Sequence, residues 1–112
     1  MPGQSMQAGM WVGTLEFDLL LGGADLPVHS LKEKRSVVRP VVAELQRRFA
    51  VAAAEVGDLD LHRRASIGVA VVAADRGHCV SVLERCERLV AERPEFELLS
   101  ARRRLLRTGD DL

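Results

Sequence analysis

The sequence predicts an α+β sandwich whose elements follow one another as β-α-β-β-α-β. Three observations carry this prediction. Some segments alternate in hydrophobicity or are apolar throughout, which is typical of strands. Two longer segments have helical periodicity and begin with capping residues. Since the chain has only 112 residues, we expect all six elements in one domain, over residues 10–107.

The first element is a half-buried strand at residues 10–21, which read MWVGTLEFDLLL. Its two faces alternate: Trp11, Leu15, Phe17 and Leu19 on one, and Val12, Thr14, Glu16 and Asp18 on the other. Period two with polar partners is the pattern of a strand with one solvated face. Two glycines and a proline in Gly22–Val28 predict a loop.

The second element is a helix over Ser30–Phe49. Ser30 and Glu33 have the spacing of a capping box. The apolar positions that we expect to face the core are Leu31, Val38, Val42, Leu45 and Phe49. Pro40 removes a backbone hydrogen bond and clashes with the preceding turn, so we expect a kink or a break there.

The remaining elements are two strands, a helix and a last strand. Ala50–Val56 predicts a short strand, and Ala65–Ala74 is apolar on both faces, as in a central strand. Asp75 is a predicted N-cap for a helix that runs to Arg93. Phe96–Leu106 begins with strand character and continues into a basic run.

Two right-handed βαβ-type crossovers in this order define a ferredoxin-like sandwich. We expect both helices on one face of an antiparallel sheet, with the first and third strands in its centre. The other sheet face is then left open, and what covers it is a functional question.

Composition and cysteine usage restrict the class of protein. Lys+Arg and Asp+Glu are 16 each, which argues against a globally basic nucleic-acid binder but allows a local basic patch. No apolar run approaches a membrane span, so we expect no membrane partner. Cys79 and Cys86 lie about 10 Å apart along the predicted helix, too far for a disulfide. Unpaired thiols favour a cytoplasmic location.

The chain ends have polar compositions of their own. We expect residues 1–9, rich in Gly, Gln and Ser, to form a disordered N-terminal extension that is not a signal peptide. Residues 108–112 predict a polar tail.

The first helix carries most of the basic charge that could meet a ligand. The predicted phosphate contacts are Lys32, Lys34, Arg35, Arg39 and Arg47. A basic stripe along a helix can bind nucleic-acid phosphates without sequence preference. A solvated helix face explains the same pattern. A second basic cluster on the last strand, at residues 102–104 and Arg107, fits either phosphate contact or protection of a sheet edge.

The open sheet face predicts a protein interface rather than a base-stacking platform. It offers no aromatic side chain, and Glu16 and Asp18 would repel phosphate. Its small apolar residues form a flat surface that favours a homodimer. The predicted interface residues are Val12, Gly68, Ala70 and Val72.

The sequence offers no constellation for catalysis or cofactor binding. The spacings of His29, His62, His78 and the two cysteines do not match a metal site. Glu16 and Asp18 share a strand face, where solvation is favoured over acid-base work. We therefore expect a non-enzymatic protein without cofactors or metal.

The run from Ser30 to Val37 reads SLKEKRSV and resembles the SLKEKR signature of the DUF503 family, the YlxP-like proteins of bacteria. The resemblance extends over residues 10–106. It implies a ferredoxin-like fold without established enzymatic activity. Genes of the family often lie beside those of translation factors, which implies RNA or a ribosomal subunit as a partner. A homodimeric protein- or small-ligand-interaction module that uses the open sheet face is the alternative.

Overall fold

A computed structural model describes residues 9–22 and 28–109 of the chain. Apart from Gly9, Thr108 and Gly109, the predicted N-terminal extension and polar tail lie outside the described residues. The helices and strands occur in the predicted order: β1 Trp11–Leu21, α1 Leu31–Phe49, β2 Ala52–Gly57, β3 Arg64–Ala73, α2 Arg76–Ala91 and β4 Phe96–Arg107.

The four strands form one antiparallel sheet in the order β2-β3-β1-β4. The prediction that the first and third strands are central is confirmed. Phe17 of β1 lies opposite Ile67 of β3 on one side and Ala101 of β4 on the other. Beyond β4, Thr108 and Met10 continue the pairing through a backbone hydrogen bond of 2.8 Å. The β2–β3 register shifts between Glu55 and Gly57, and irregularities of this kind increase the local twist of a strand pair.

The hydrophobic core lies between one sheet face and both helices. The inward side chains of β1 are fully or almost fully buried, as the alternation predicted: Leu15, Phe17, Leu19 and Leu21. Cys79 and Cys86 of α2 are buried in the same cluster as free thiols. Gly13 permits close approach of α2, since a β-carbon there would lie 2.9 Å from the Leu83 side chain. The opposite sheet face carries no helix in the described part of the chain.

Helix α1 begins as the capping-box pattern predicted, with the Glu33 amide donating a 3.1 Å hydrogen bond to Ser30 Oγ. Of the two outcomes expected at Pro40, a kink or a break, the break is wrong, because α1 continues through Pro40 to Phe49. Ala50 follows the last helical residue and caps the helix in a left-handed conformation, with a φ of 53°. The fully buried positions of α1 are Lys34, Val38, Val41 and Leu45. Leu31, Val42 and Phe49 of the predicted stripe lie at the half-buried flanks.

Helix α2 begins at the predicted N-cap, with Asp75 accepting a 2.8 Å hydrogen bond from the His78 amide. Strand β4 is longer than its opening residues indicated, because the basic run at 102–104 continues the ladder with β1. Neither helix of the described chain is long and apolar enough to cross a membrane.

Candidate nucleic-acid interface

Helix α1 presents four exposed cations on its solvent side: Lys32, Arg35, Arg39 and Arg47. We call them the basic face of α1. At 100° per residue, Lys32, Arg35 and Arg39 lie within about 60° of one another and Arg47 about 60° further round. From Lys32 to Arg47 the face extends about 22 Å along the helix. The structure therefore brings four of the five predicted phosphate contacts together.

The basic face of α1 is not neutralised by neighbouring carboxylates. Within the described residues, no Asp or Glu oxygen lies within 4.0 Å of its four cations. The residues between them on the same arc are uncharged: Ser36, Ala43 and Gln46. The side-chain amide of Gln46 donates a 2.8 Å hydrogen bond to the Ala53 carbonyl of β2, which holds the helix against the sheet edge. The charge is thus presented on a rigid, convex surface.

Lys34 is the exception, and its predicted role as a phosphate contact is corrected. Only 1% of the residue is exposed. Its ammonium group lies 2.8 Å from Glu55 Oε2 and donates a 2.6 Å hydrogen bond to the Asp58 carbonyl. The contact with Glu55 lacks the angle of a hydrogen bond and is electrostatic. Lys34 therefore fastens α1 to β2 and to the following turn, and it cannot reach a ligand.

The SLKEKR run thus divides into structural and surface positions. Ser30 and Glu33 cap the helix, Leu31 is half-buried, and Lys34 makes the internal ion pair. Lys32 and Arg35 point to solvent. The periodicity could have indicated this, because Lys34 precedes the buried Val38 and Val41 by four and seven residues.

Two arginines of the basic cluster of β4, Arg102 and Arg103, form ion pairs within the fold. Arg102 lies 2.5 Å from both Glu16 Oε2 and Asp18 Oδ2 on the open sheet face. The hydrogen bond from Arg102, followed by one from Ser100, lowers the pKa of Asp18. Arg103 points to the helical side, where it approaches Glu84 at 3.9 Å. These contacts favour a structural role for the cluster, and they engage the two carboxylates in charge pairing.

The part of the open sheet face around Val12, Gly68, Ala70 and Val72, the predicted interface residues, is mostly apolar. Val12 lies opposite Val72, which is 61% exposed. Gly68 and Ala70 line a shallow groove of about 410 Å³. The other groove residues, from the three strands β1, β2 and β3, are Thr14, Leu15, Glu16, Ala52, Ala53, Ala54, Val56 and Val69.

The aromatic residues do not form a base-stacking platform. Phe17 and Phe96 are buried, and Trp11 and Phe49 pack against the core. These four are the chain's complete set of aromatic residues. The open sheet face therefore lacks the aromatic side chains on which RNA-recognition motifs stack bases.

Sequence reasoning missed a second basic feature, a cleft of about 490 Å³ between the end of α1 and the second half of α2. Its lining residues are Arg48, Phe49, Arg85, Arg88, Leu89, Glu92, Arg93 and Pro94. We call this the interhelical cleft. The three-residue spacing of Arg85 and Arg88 places them on one side of α2. Their proximity to Arg48 depends on helix packing and could not be seen in the sequence.

Both cysteines are buried as free thiols. Burial raises the pKa of Cys86 to about 11 and also raises that of Cys79, with a smaller contribution from Asp75. Both thiols are thus protonated at neutral pH. Among the described residues, no three His, Cys, Asp or Glu side chains lie close enough together to hold a metal ion.

These features define a class of protein: a ferredoxin-like α+β sandwich with a basic helical layer and an open sheet face. A family model for proteins of unknown function, DUF503, matches residues 12–103. The chain belongs to the DUF503 family, which confirms the resemblance that the SLKEKR run indicated. It is also similar to a Bacillus subtilis protein described as the uncharacterized protein YlxP. The two are 35% identical over 68 residues, which cover 61% of this chain and 74% of the relative.

Proposed function

We propose that the protein is a non-enzymatic accessory factor of the cytoplasm that binds RNA or a ribosomal subunit through the basic face of α1. The observation that carries this proposal is the row of four exposed cations, each without a carboxylate within 4.0 Å in the described structure. A solvated surface usually intersperses both signs of charge, which this face does not.

The geometry suits an extended phosphate backbone better than a compact ligand. The face is convex and about 22 Å long, so successive cations can meet successive phosphates. Lysine and arginine contacts of this kind release counterions and bind without reading bases. On the open sheet face, Arg102 is engaged by Glu16 and Asp18, which favours RNA contact on the helical side.

Charge reversal tests this surface directly. A variant with Lys32→Glu, Arg35→Glu and Arg39→Glu should lose at least a hundredfold in affinity for ribosomal subunits or a structured RNA, because three phosphate contacts become repulsive. All three side chains are exposed, so the circular dichroism spectrum and melting temperature should change little.

A matched control reverses three exposed arginines elsewhere: Arg64→Glu, Arg76→Glu and Arg104→Glu. It has the same net charge as the α1 variant and should keep most of the affinity. Equal loss in both variants, or unchanged binding by the α1 variant, would show that the basic face of α1 is not the binding surface.

A homodimer through the open sheet face is the second candidate, and the apolar groove with the exposed Val72 favours it. An apolar patch beside a groove is a common feature of interfaces. If the dimer forms, Val72→Lys should convert it to a monomer, since two ammonium groups would enter a desolvated surface. Sedimentation equilibrium measures this. A wild-type protein that stays monomeric at high micromolar concentration contradicts this proposal.

A further inference from the structure

The interhelical cleft gathers positive charge from two stretches that are far apart in sequence. Arg48 comes from the end of α1, Arg85 and Arg88 from α2, and Arg93 from the turn after α2. Glu92 is the acidic residue of the lining. Four arginines against one glutamate leave a net charge of +3 in a concave space of about 490 Å³.

Two of the four arginines are held in place by a single carboxylate. Glu44 of α1 pairs with Arg48 at 3.3 Å and also with Arg93. The Arg48 guanidinium lies 5.5 Å from the centre of the Phe49 ring, which restricts it further. A guanidinium has five N–H donors, so each arginine keeps donors free after these contacts. Counting Glu44 as well, the site still has a net charge of +2.

Arg85 and Arg88 are the uncompensated members of the cleft. Within the described residues, neither has a carboxylate oxygen within 4.0 Å. Charge near a helix C-terminus offsets the helix dipole, which explains Arg48 and Arg88 in the last turns. It does not explain Arg85, which lies before the last turn of α2, or the convergence of all four on one cleft.

We propose that the interhelical cleft binds adjacent phosphate groups of a small ligand, that is, a pyrophosphate or polyphosphate moiety. Arginine forks match phosphate oxygens bidentately. A pyrophosphate group concentrates several negative charges in one place, whereas a nucleic-acid backbone spreads one charge over each nucleotide. The cleft volume lies in the range of small-molecule sites. Phe49, Leu89 and Pro94 form an apolar part of the wall beside the arginines.

Isothermal titration calorimetry with inorganic pyrophosphate tests the site, with orthophosphate as the smaller probe. Pyrophosphate should bind saturably with one site per chain, at least tenfold more tightly than orthophosphate. The double variant Arg85→Gln and Arg88→Gln should weaken pyrophosphate binding by about a hundredfold, or tenfold for each charge-assisted hydrogen-bonding partner removed. Both residues are exposed, so the variant should fold normally.

The matched control is Arg64→Gln with Arg76→Gln, which removes the same charge at two exposed arginines outside both the cleft and the basic face of α1. It should leave pyrophosphate affinity within about twofold. An equal loss in both variants would reduce the effect to general electrostatics and overturn the proposal, as would the absence of saturable binding at millimolar pyrophosphate.

A structured RNA separates this site from the proposed RNA surface. RNA binding that survives Arg85→Gln with Arg88→Gln, while pyrophosphate binding is lost, supports two independent sites. If the same double variant abolishes RNA binding and RNA displaces pyrophosphate, the cleft is part of the RNA surface and the small-ligand proposal is wrong.

Discussion

Lys34 and Arg35 are neighbours in the sequence with opposite environments. Lys34 is 1% exposed and its ammonium group has two oxygen partners within the fold. Arg35 is exposed and has no carboxylate within 4.0 Å among the described residues. A rotation of about 100° between adjacent helical residues accounts for the difference. One basic residue of the SLKEKR run therefore stabilises the fold, while its neighbour is available for binding.

Replacing Lys34 by methionine tests its structural role. Lys34→Met should lower the free energy of unfolding by about 3 kcal/mol, because it leaves the Glu55 carboxylate partly buried without its partner. Urea denaturation measures the change. Arg35→Met is the control and should stay within about 0.5 kcal/mol of the wild type.

The double variant Lys34→Met with Glu55→Gln separates the effect of the ion pair from that of packing. It should be more stable than Lys34→Met alone, since no unpaired charge is left behind. If Lys34→Met and Arg35→Met have equal effects on unfolding, the structural role of Lys34 is contradicted.

The raised pKa of Cys86 gives a prediction about the reactivity of this buried thiol. The pKa of Cys86 is raised from its ordinary value of 9.0 to about 11. At pH 8 this lowers the thiolate fraction about a hundredfold. Reaction of Cys86 in the native protein with a disulfide reagent should therefore be about a hundredfold slower than in the urea-unfolded chain. Rapid native-state reaction at pH 8 would contradict the burial of this thiol.

At the scale of the element, α1 supports the basic face despite an internal proline. Pro40 cannot donate to the carbonyl four residues earlier, yet α1 runs unbroken from Leu31 to Phe49. The buried stripe of Lys34, Val38, Val41 and Leu45 holds the helix to the sheet on both sides of Pro40. Tertiary packing thus outweighs the local preference, which is why α1 does not break at Pro40, one of the two outcomes expected from sequence.

Substitution of Pro40 measures the free energy by which this proline destabilises α1. Pro40→Ala restores a backbone hydrogen bond at an exposed position and should raise the free energy of unfolding by about 1–2 kcal/mol, after allowance for the greater entropy of the unfolded chain. Thermal and urea denaturation check this. A Pro40→Ala variant that is less stable than the wild type would contradict a destabilising effect of Pro40 in α1.

At the scale of the whole molecule, the elements and their order follow from hydrophobic periodicity and capping residues. Alternation in β1 predicted which side chains are buried, and Ser30 and Asp75 marked both helix starts. The separation of Lys34 from the other cations could have been predicted from its spacing to Val38 and Val41, whereas its ion pair with Glu55 depends on the packing of α1 against β2. The interhelical cleft required the packing of α1 on α2, because Arg48 and Arg85 lie 37 positions apart in the chain.

The helical side and the open sheet face are two chemically different surfaces of the molecule. The helical side carries the basic face of α1 and the interhelical cleft, both with arginines that have no carboxylate partner among the described residues. The open sheet face combines an apolar groove with an ion-paired cluster of Arg102, Glu16 and Asp18. This segregation supports anion binding on one side and protein contact on the other.

The RNA-binding role of the basic face of α1 is tested by binding of the full chain to ribosomal subunits and to a structured RNA, measured over a salt series. Four phosphate contacts predict that the logarithm of affinity falls with the logarithm of salt concentration with a slope of about −3, a loss of about 60-fold between 50 and 200 mM. Undetectable binding at 50 mM salt, or affinity that hardly changes over the series, would contradict phosphate recognition by the basic face of α1.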